Sequence, residues 1–252
     1  MTSPKALART AGLLYLALIA LSGFANLFVR DSVYVRDNAA ATADRIRESA
    51  DLYRMALASD LIGNVCYLFL ALTLYFLLRS HGQWAARTML IVVTAATAIL
   101  CGSLVSHAGS LLVATNPSFA SALGQRGSDA LVLLFMDLQK QGYYAGQIFF
   151  GLWLLPLGYL VYRSGWFPKW LGVLVAVGCF SQLVELAAIY LTPNFDESSV
   201  MALLLPGGIA EIVFALWLTV KGASAPAHVA DNDPHVGSAP EDRLALANQG
   251  AL

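Results

Sequence analysis

Eight polar side chains interrupt apolar stretches of this sequence and could do chemistry there: Asn26, Asp60, Asn64, His107, Gln147, Gln182, Glu185 and Glu211. A carboxyl group in hydrocarbon is expensive and marks a place where a cation, a proton or a ligand head group could bind. Amides add paired donors and acceptors. The spacing gathers these groups. Asp60 and Asn64 are four residues apart, Ser103 and His107 four apart, and Gln182 and Glu185 three apart, so each pair shares one helix face. A structural reading stands beside this one, in which amides and neutral carboxyls bond across helices and only hold a bundle together. Asp60 fits either a pocket wall or a solvated interface. His107 fits a satisfied polar residue as well as a ligand, and zinc catalysis needs about three protein ligands. The other histidines, His81, His228 and His235, fall in a connection or near the C-terminus, so the sequence names no metal and no cofactor.

The elements that must position these groups follow from composition. Of 252 residues, 58% are hydrophobic and 12% charged, and the mean hydropathy is +0.65. A soluble domain carries about twice that charged fraction. Apolar runs recur at the length of roughly 20 residues that a helix needs to cross a bilayer. They are Ala11–Val29, Tyr53–Leu78, Thr88–Ala114, Tyr143–Tyr162, Pro168–Leu191 and Val200–Val220. The expected fold is all-α, a polytopic bundle of about six transmembrane helices over residues 11–221. Residues 1–10 form a cytoplasmic N-terminus, and 222–252, rich in Ala, Pro, Asp and Asn, form a disordered tail. The first run is longer than a signal-peptide core and reads as an uncleaved helix.

Between the first two runs, Ala39–Glu48 reads as a short surface helix and Ser49 as an N-cap. Asn116-Pro117 ends the third run. Gly124 to Lys140 reads either as an interfacial helix or as an extension of the fourth span, with Asp137 and Lys140 on a solvated surface. Pro156 is tolerated within the fourth span, and Pro168 opens the fifth. Pro206-Gly207-Gly208, just before Glu211, predicts a locally unwound helix with free carbonyls. Cys66, Cys101 and Cys179 all lie in spans without CxxC spacing and read as small core residues. No internal repeat is visible.

With the N-terminus inside, Lys5, Arg9, Arg79, Arg87, Arg163, Lys169 and Lys221 face the cytoplasm, against Arg30, Arg36, Arg45, Arg47, Arg54, Arg126 and Lys140 outside. The count is even. The inner connections carry no acids, and Trp84, Trp166, Trp170 and Trp217 gather near that face as an interfacial belt. Both termini are therefore placed in the cytoplasm. Helix rise then puts all eight polar residues at the midplane or outward. The expectation is an outward pocket with Asp60, His107, Glu185 and Glu211 around the amides of Asn26, Asn64, Gln147 and Gln182.

No basic stripe or nucleic-acid motif is present, which excludes a nucleic-acid partner. Three functional readings stay open, in order of support. The first is binding or transport of a small molecule, ion or lipid. The second is a non-catalytic accessory or signalling role, and the third a membrane-embedded lipid hydrolase. The partners expected are membrane lipids and a small ligand or ion. Coupling ion and oligomeric state are not readable.

Three segments carry a resemblance. They are Ala11-Gly-Leu-Leu-Tyr-Leu, Ala58-Ser-Asp-Leu-Ile, and above all Gly146-Gln-Ile-Phe-Phe-Gly-Leu-Trp-Leu-Leu-Pro-Leu-Gly-Tyr-Leu-Val-Tyr-Arg-Ser-Gly-Trp-Phe-Pro-Lys-Trp-Leu-Gly-Val-Leu. Together they are similar to the bacterial DUF4386 family of multi-pass membrane proteins, over about Ala8 to Lys221. The resemblance implies a bacterial inner-membrane protein. It carries no established activity and hence no catalytic residue.

Overall fold

In the computed structural model, which describes residues 3–192 and 197–224, Ser3 and Pro4 start the first helix. The Ser3 hydroxyl accepts the Ala6 N–H, and Pro4 occupies a first-turn position where its missing N–H is harmless. Helix α1 spans Pro4–Gly23 and continues into a wider π-helical stretch, Phe24–Arg30, and the short α2, Asp31–Val33. Such a stretch re-aims side chains relative to an ideal helix. Here it turns Asn26 and Arg30 toward the bundle.

Helix α3, Ala39–Glu48, is capped by the Asn38 side chain and lies where the surface helix was expected. Its Thr42, Ala43 and Ile46 are buried, at the i, i+3/i+4 spacing of one helix face. Helix α4, Ala50–Leu78, follows at once. Ser49 holds the cap position, but its side chain makes no cap bond, contrary to expectation. Its backbone N–H bonds Arg45 O at 3.0 Å, so α3 and α4 abut without room for a capping turn.

Helix α5 spans Gln83–Thr115 and α6 spans Pro117–Leu152, with a kink at Gly124, where φ is +72°. The stretch 128–141 therefore extends the fourth span. Its buried stripe of Ser128, Val132, Met136 and Gln139 carries it down onto α3 and α5. The helix breaks at Trp153 and resumes as α7, Leu154–Ser164. Pro156 explains the break, because it has no N–H for the Leu152 carbonyl four residues back. Gly165, in the left-handed region at φ +68°, ends α7. Helix α8 spans Lys169–Leu191, with Pro168 one residue outside it as N-cap, and α9 spans Glu197–Val220.

The sixth span departs from expectation. Helix α9 runs through Pro206, Gly207 and Gly208 without unwinding. The two glycines of this crossing, Gly178 and Gly207, let the backbones of α8 and α9 meet. A Cβ on Gly207 would stand 3.4 Å from the Gly178 carbonyl oxygen. Residues 193–196, part of the link before α9, and the expected tail from 225 onward lie outside the described residues.

The spans pack as a closed ring. Helix α1 lies on α4, α4 on α5, α5 on α6 and α7, these on α8, α8 on α9, and α9 returns to α1. Closure depends on Gly12, where a Cβ would lie 2.5 Å from Thr219 N. Among the described residues, five helical stretches are long and apolar enough to cross a membrane, Pro4–Val33, Ala50–His81, Gln83–Thr115, Pro117–Ser164 and Lys169–Leu191, and Leu205–Val220 is a shorter apolar one.

Two apolar clusters fill the ring. One, around Tyr15, Tyr67, Leu74, Met89, Trp153, Leu157 and Phe214, occupies the half that holds the start of α1. The other, around Val29, Ile46, Tyr53, Val113, Val132 and Met136, lies under α3. Between them runs a polar layer.

Candidate functional site

Arg30 is the centre of the layer on the α3 side. It is 7% exposed, although its sequence position suggested an outer connection. Its Nη1 donates to Asp60 Oδ2 at 2.5 Å, and its Nε and Nη2 donate to Asn26 Oδ1 at 3.1 and 2.5 Å. Nη1 also lies 3.3 Å from His107 Nδ1, which must accept, because a guanidinium only donates. His107 Nε2 then carries the proton and donates to Tyr53 O at 3.1 Å. The Tyr53 ring stacks on the imidazole with centroids 3.9 Å apart, and its hydroxyl meets Ser110 Oγ at 2.9 Å. With both ring nitrogens engaged and the residue fully buried, His107 is a fixed wall stud behind Arg30. Among the described residues no three His, Cys, Asp or Glu side chains gather closely enough to hold a metal ion.

Beside this group is a cavity of about 80 Å³. Helix α1 and its π-helical extension contribute Ser22, Asn26 and Arg30, α4 contributes Asp60, Asn64 and Tyr67, α5 contributes Ser103, and α6 contributes Gln139, Tyr143 and Gln147. It has room for a small polar molecule or several waters. The Tyr67 hydroxyl and Gln147 Oε1 are buried without a hydrogen-bond partner.

Gln147 leads onward from the cavity. Its Nε2 donates to Glu185 Oε2 at 2.9 Å. One turn along α8, Gln182 Nε2 donates to Glu211 Oε1 at 2.5 Å, and the Tyr15 hydroxyl donates to Glu211 Oε2 at 2.9 Å. Gly151 lets α6 pass over Gln182, since a Cβ there would lie 3.3 Å from Gln182 Cβ.

The structure thus divides the expected single pocket into two groups, with Gln147 linking the cavity to Glu185. Asn26, Asp60, Asn64 and Gln147 line the cavity. His107 stands behind Arg30, Glu185 is reached through Gln147, and Gln182 with Glu211 forms a separate cluster toward the other apolar core. Sequence reasoning missed Arg30, Tyr15, Tyr53, Tyr67 and Tyr143. The signal for Arg30 was present, as it follows Asn26 by four residues within an apolar stretch. Asp137 and Lys140, expected on a solvated surface, are half-buried. The Tyr34 hydroxyl donates to Asp137 at 3.0 Å, and Lys140 lies over the Tyr34 ring. Burial, and then the bond to Asp137, push the Tyr34 hydroxyl up to about 12. Asp129 pairs with Arg47 of α3.

A ring of apolar spans around a polar layer defines an all-α polytopic membrane protein. Within that class, the match to DUF4386, a domain of unknown function, covers residues 10–222, and the chain belongs to that family. An uncharacterized protein of the archaeon Archaeoglobus fulgidus is 36% identical over 78 residues, which is 31% of this chain. That match spans 44% of the relative's length. No solved structure matches the chain.

Proposed function

We propose that the protein binds a small polar molecule in the cavity and moves it across or within the membrane. The observation that carries this reading is the cavity itself, a chamber with polar and apolar walls held between two apolar clusters, with Tyr67, whose buried hydroxyl has no partner, among its lining residues. An unsatisfied buried hydroxyl is costly, and a ligand seated beside Tyr67 would satisfy it. The Arg30–Asp60 pair leaves the wall formally neutral, which fits a neutral or zwitterionic ligand. The test is native mass spectrometry and thermal unfolding of the wild type and Asn64→Leu, which puts a larger, apolar side chain in place of a lining amide. A small polar molecule bound to the wild type and lost in Asn64→Leu supports the reading. Bare protein in both, with no ligand raising the unfolding temperature, overturns it. The accessory role would then come first, an alternative favoured by the completeness of the Arg30 bonds.

The proposed orientation keeps both termini cytoplasmic. At that end Arg87 lies over Trp84, Arg163 over Tyr159, Lys169 over Tyr162 and Lys221 over Trp217, the last at 4.1 Å. Basic residues beside interfacial aromatics favour the cytoplasmic side. A reporter enzyme fused after Lys221 should be active only as a cytoplasmic fusion; activity only outside would invert the topology.

A further inference from the structure

Glu185 and Glu211 share one arrangement, repeated on neighbouring helix pairs. Each accepts a glutamine Nε2–H from the facing helix, Glu185 from Gln147 and Glu211 from Gln182. In both pairs the other amide atom, Oε1, is buried and has no partner. Both glutamines are more than nine-tenths buried. Among the described residues neither glutamate has a basic group at ion-pair distance, because Arg30 is committed to Asp60.

An ionised carboxylate is a poor fit to these surroundings. It would be an unpaired charge in hydrocarbon, and it would leave both amide oxygens idle. A carboxylic acid answers both difficulties at once. One carboxyl oxygen accepts the amide N–H, while the O–H on the other donates to Oε1, closing a two-bond ring. Turning either amide end for end leads to the same place. Its oxygen would then face the carboxyl and require a donor from it.

We propose that Glu185 and Glu211 are two proton-binding sites, each a carboxylic acid closed onto a glutamine amide. The proposal deepens the reading above by naming the ion held beside the ligand, and it rests on that reading only for the coupling. In loading, a proton from water joins the carboxylate and forms one O–H bond; release breaks that bond and returns the proton to water. Glu185 is one side chain from the cavity, through Gln147. The following groups face these acids among the described residues. Tyr15 of α1 and Gln182 of α8 meet Glu211, with Tyr67 of α4 in electrostatic range. Gln147 of α6 meets Glu185, and Tyr143 of α6 lies in range of both glutamates and of Arg30 and Asp60. On α7, Tyr159, Tyr162 and Arg163 lie at the far, basic end of the bundle.

Infrared spectroscopy of the full chain in lipid nanodiscs at neutral pH reads the outcome directly. The wild type should show the C=O stretch of protonated carboxyls. Glu185→Gln and Glu211→Gln should each remove one share of that band, and the double variant both. Loss of carboxylate intensity instead, with the acid band unchanged, overturns the proposal. Gln182→Met gives a second route if a glutamate variant fails to fold. The Glu211 band should move to higher frequency as its amide partner goes, and an unmoved band overturns the acid–amide ring. Acid bands without any ligand in the cavity would leave the proton sites standing and remove the transport reading. A bound ligand without acid bands would do the reverse.

Discussion

Arg30 and the two glutamates are formally charged side chains buried within apolar helical stretches, and their surroundings differ sharply. Arg30 has an opposite charge at 2.5 Å, an amide on two of its nitrogens, and an imidazole behind it. Among the described residues, Glu185 and Glu211 have only neutral donors, from Gln147, Gln182 and Tyr15. A charge neutralised by a fixed counter-charge is anchored, since removing either partner strands the other. A carboxyl among neutral donors can gain or lose a proton while its neighbours keep their places. The first arrangement suits a wall and the second a working group.

The sharpest way to break this contrast is Arg30→Met. It strands Asp60 as a buried, unpaired acid and releases Asn26 and His107, and should lower stability by about 3–5 kcal/mol. Adding Asp60→Leu should recover most of the loss, because an apolar pair of similar volume is near neutral. Reversible unfolding in detergent measures both; a loss under about 1 kcal/mol for the single variant would mean that the pair is solvated. Tyr15→Phe is the smaller test. It takes one donor from Glu211 and should cost about 0.5–1.5 kcal/mol. A loss as large as that of Arg30→Met would show that Glu211 is an ionised charge dependent on that bond, and the contrast would vanish.

Much of the scaffold was legible, because span length and hydropathy are properties of single segments. The fourth span was harder to bound. Asp129 and Asp137 look interfacial alone, yet their partners, Arg47 and Tyr34, come from segments 82 and 103 residues away. Arg30 was misplaced for a local reason, since a π-helical stretch shifts the facing of everything after Phe24. The unwinding expected at Pro206 was read from the composition of α9 alone, whereas the helix continues through it and packs on α8 at Gly207. The eight polar candidates were visible as types, and all but half-buried Asn26 are buried. Their division into two groups depends on how neighbouring helices are registered, which no single stretch encodes.

The contact between Gly12 and Thr219 has a consequence in time. Tyr15 and Glu211 are 196 residues apart in sequence, and the ring closes where α1 meets α9. While the chain is being synthesised, α1 can pair with α4 long before α9 exists. Until α9 arrives, Tyr15 lacks its acceptor and Gln182 has no Glu211 to bond. The acid at Glu211 is therefore completed at the last step of assembly, and a chain halted before its sixth span cannot contain it.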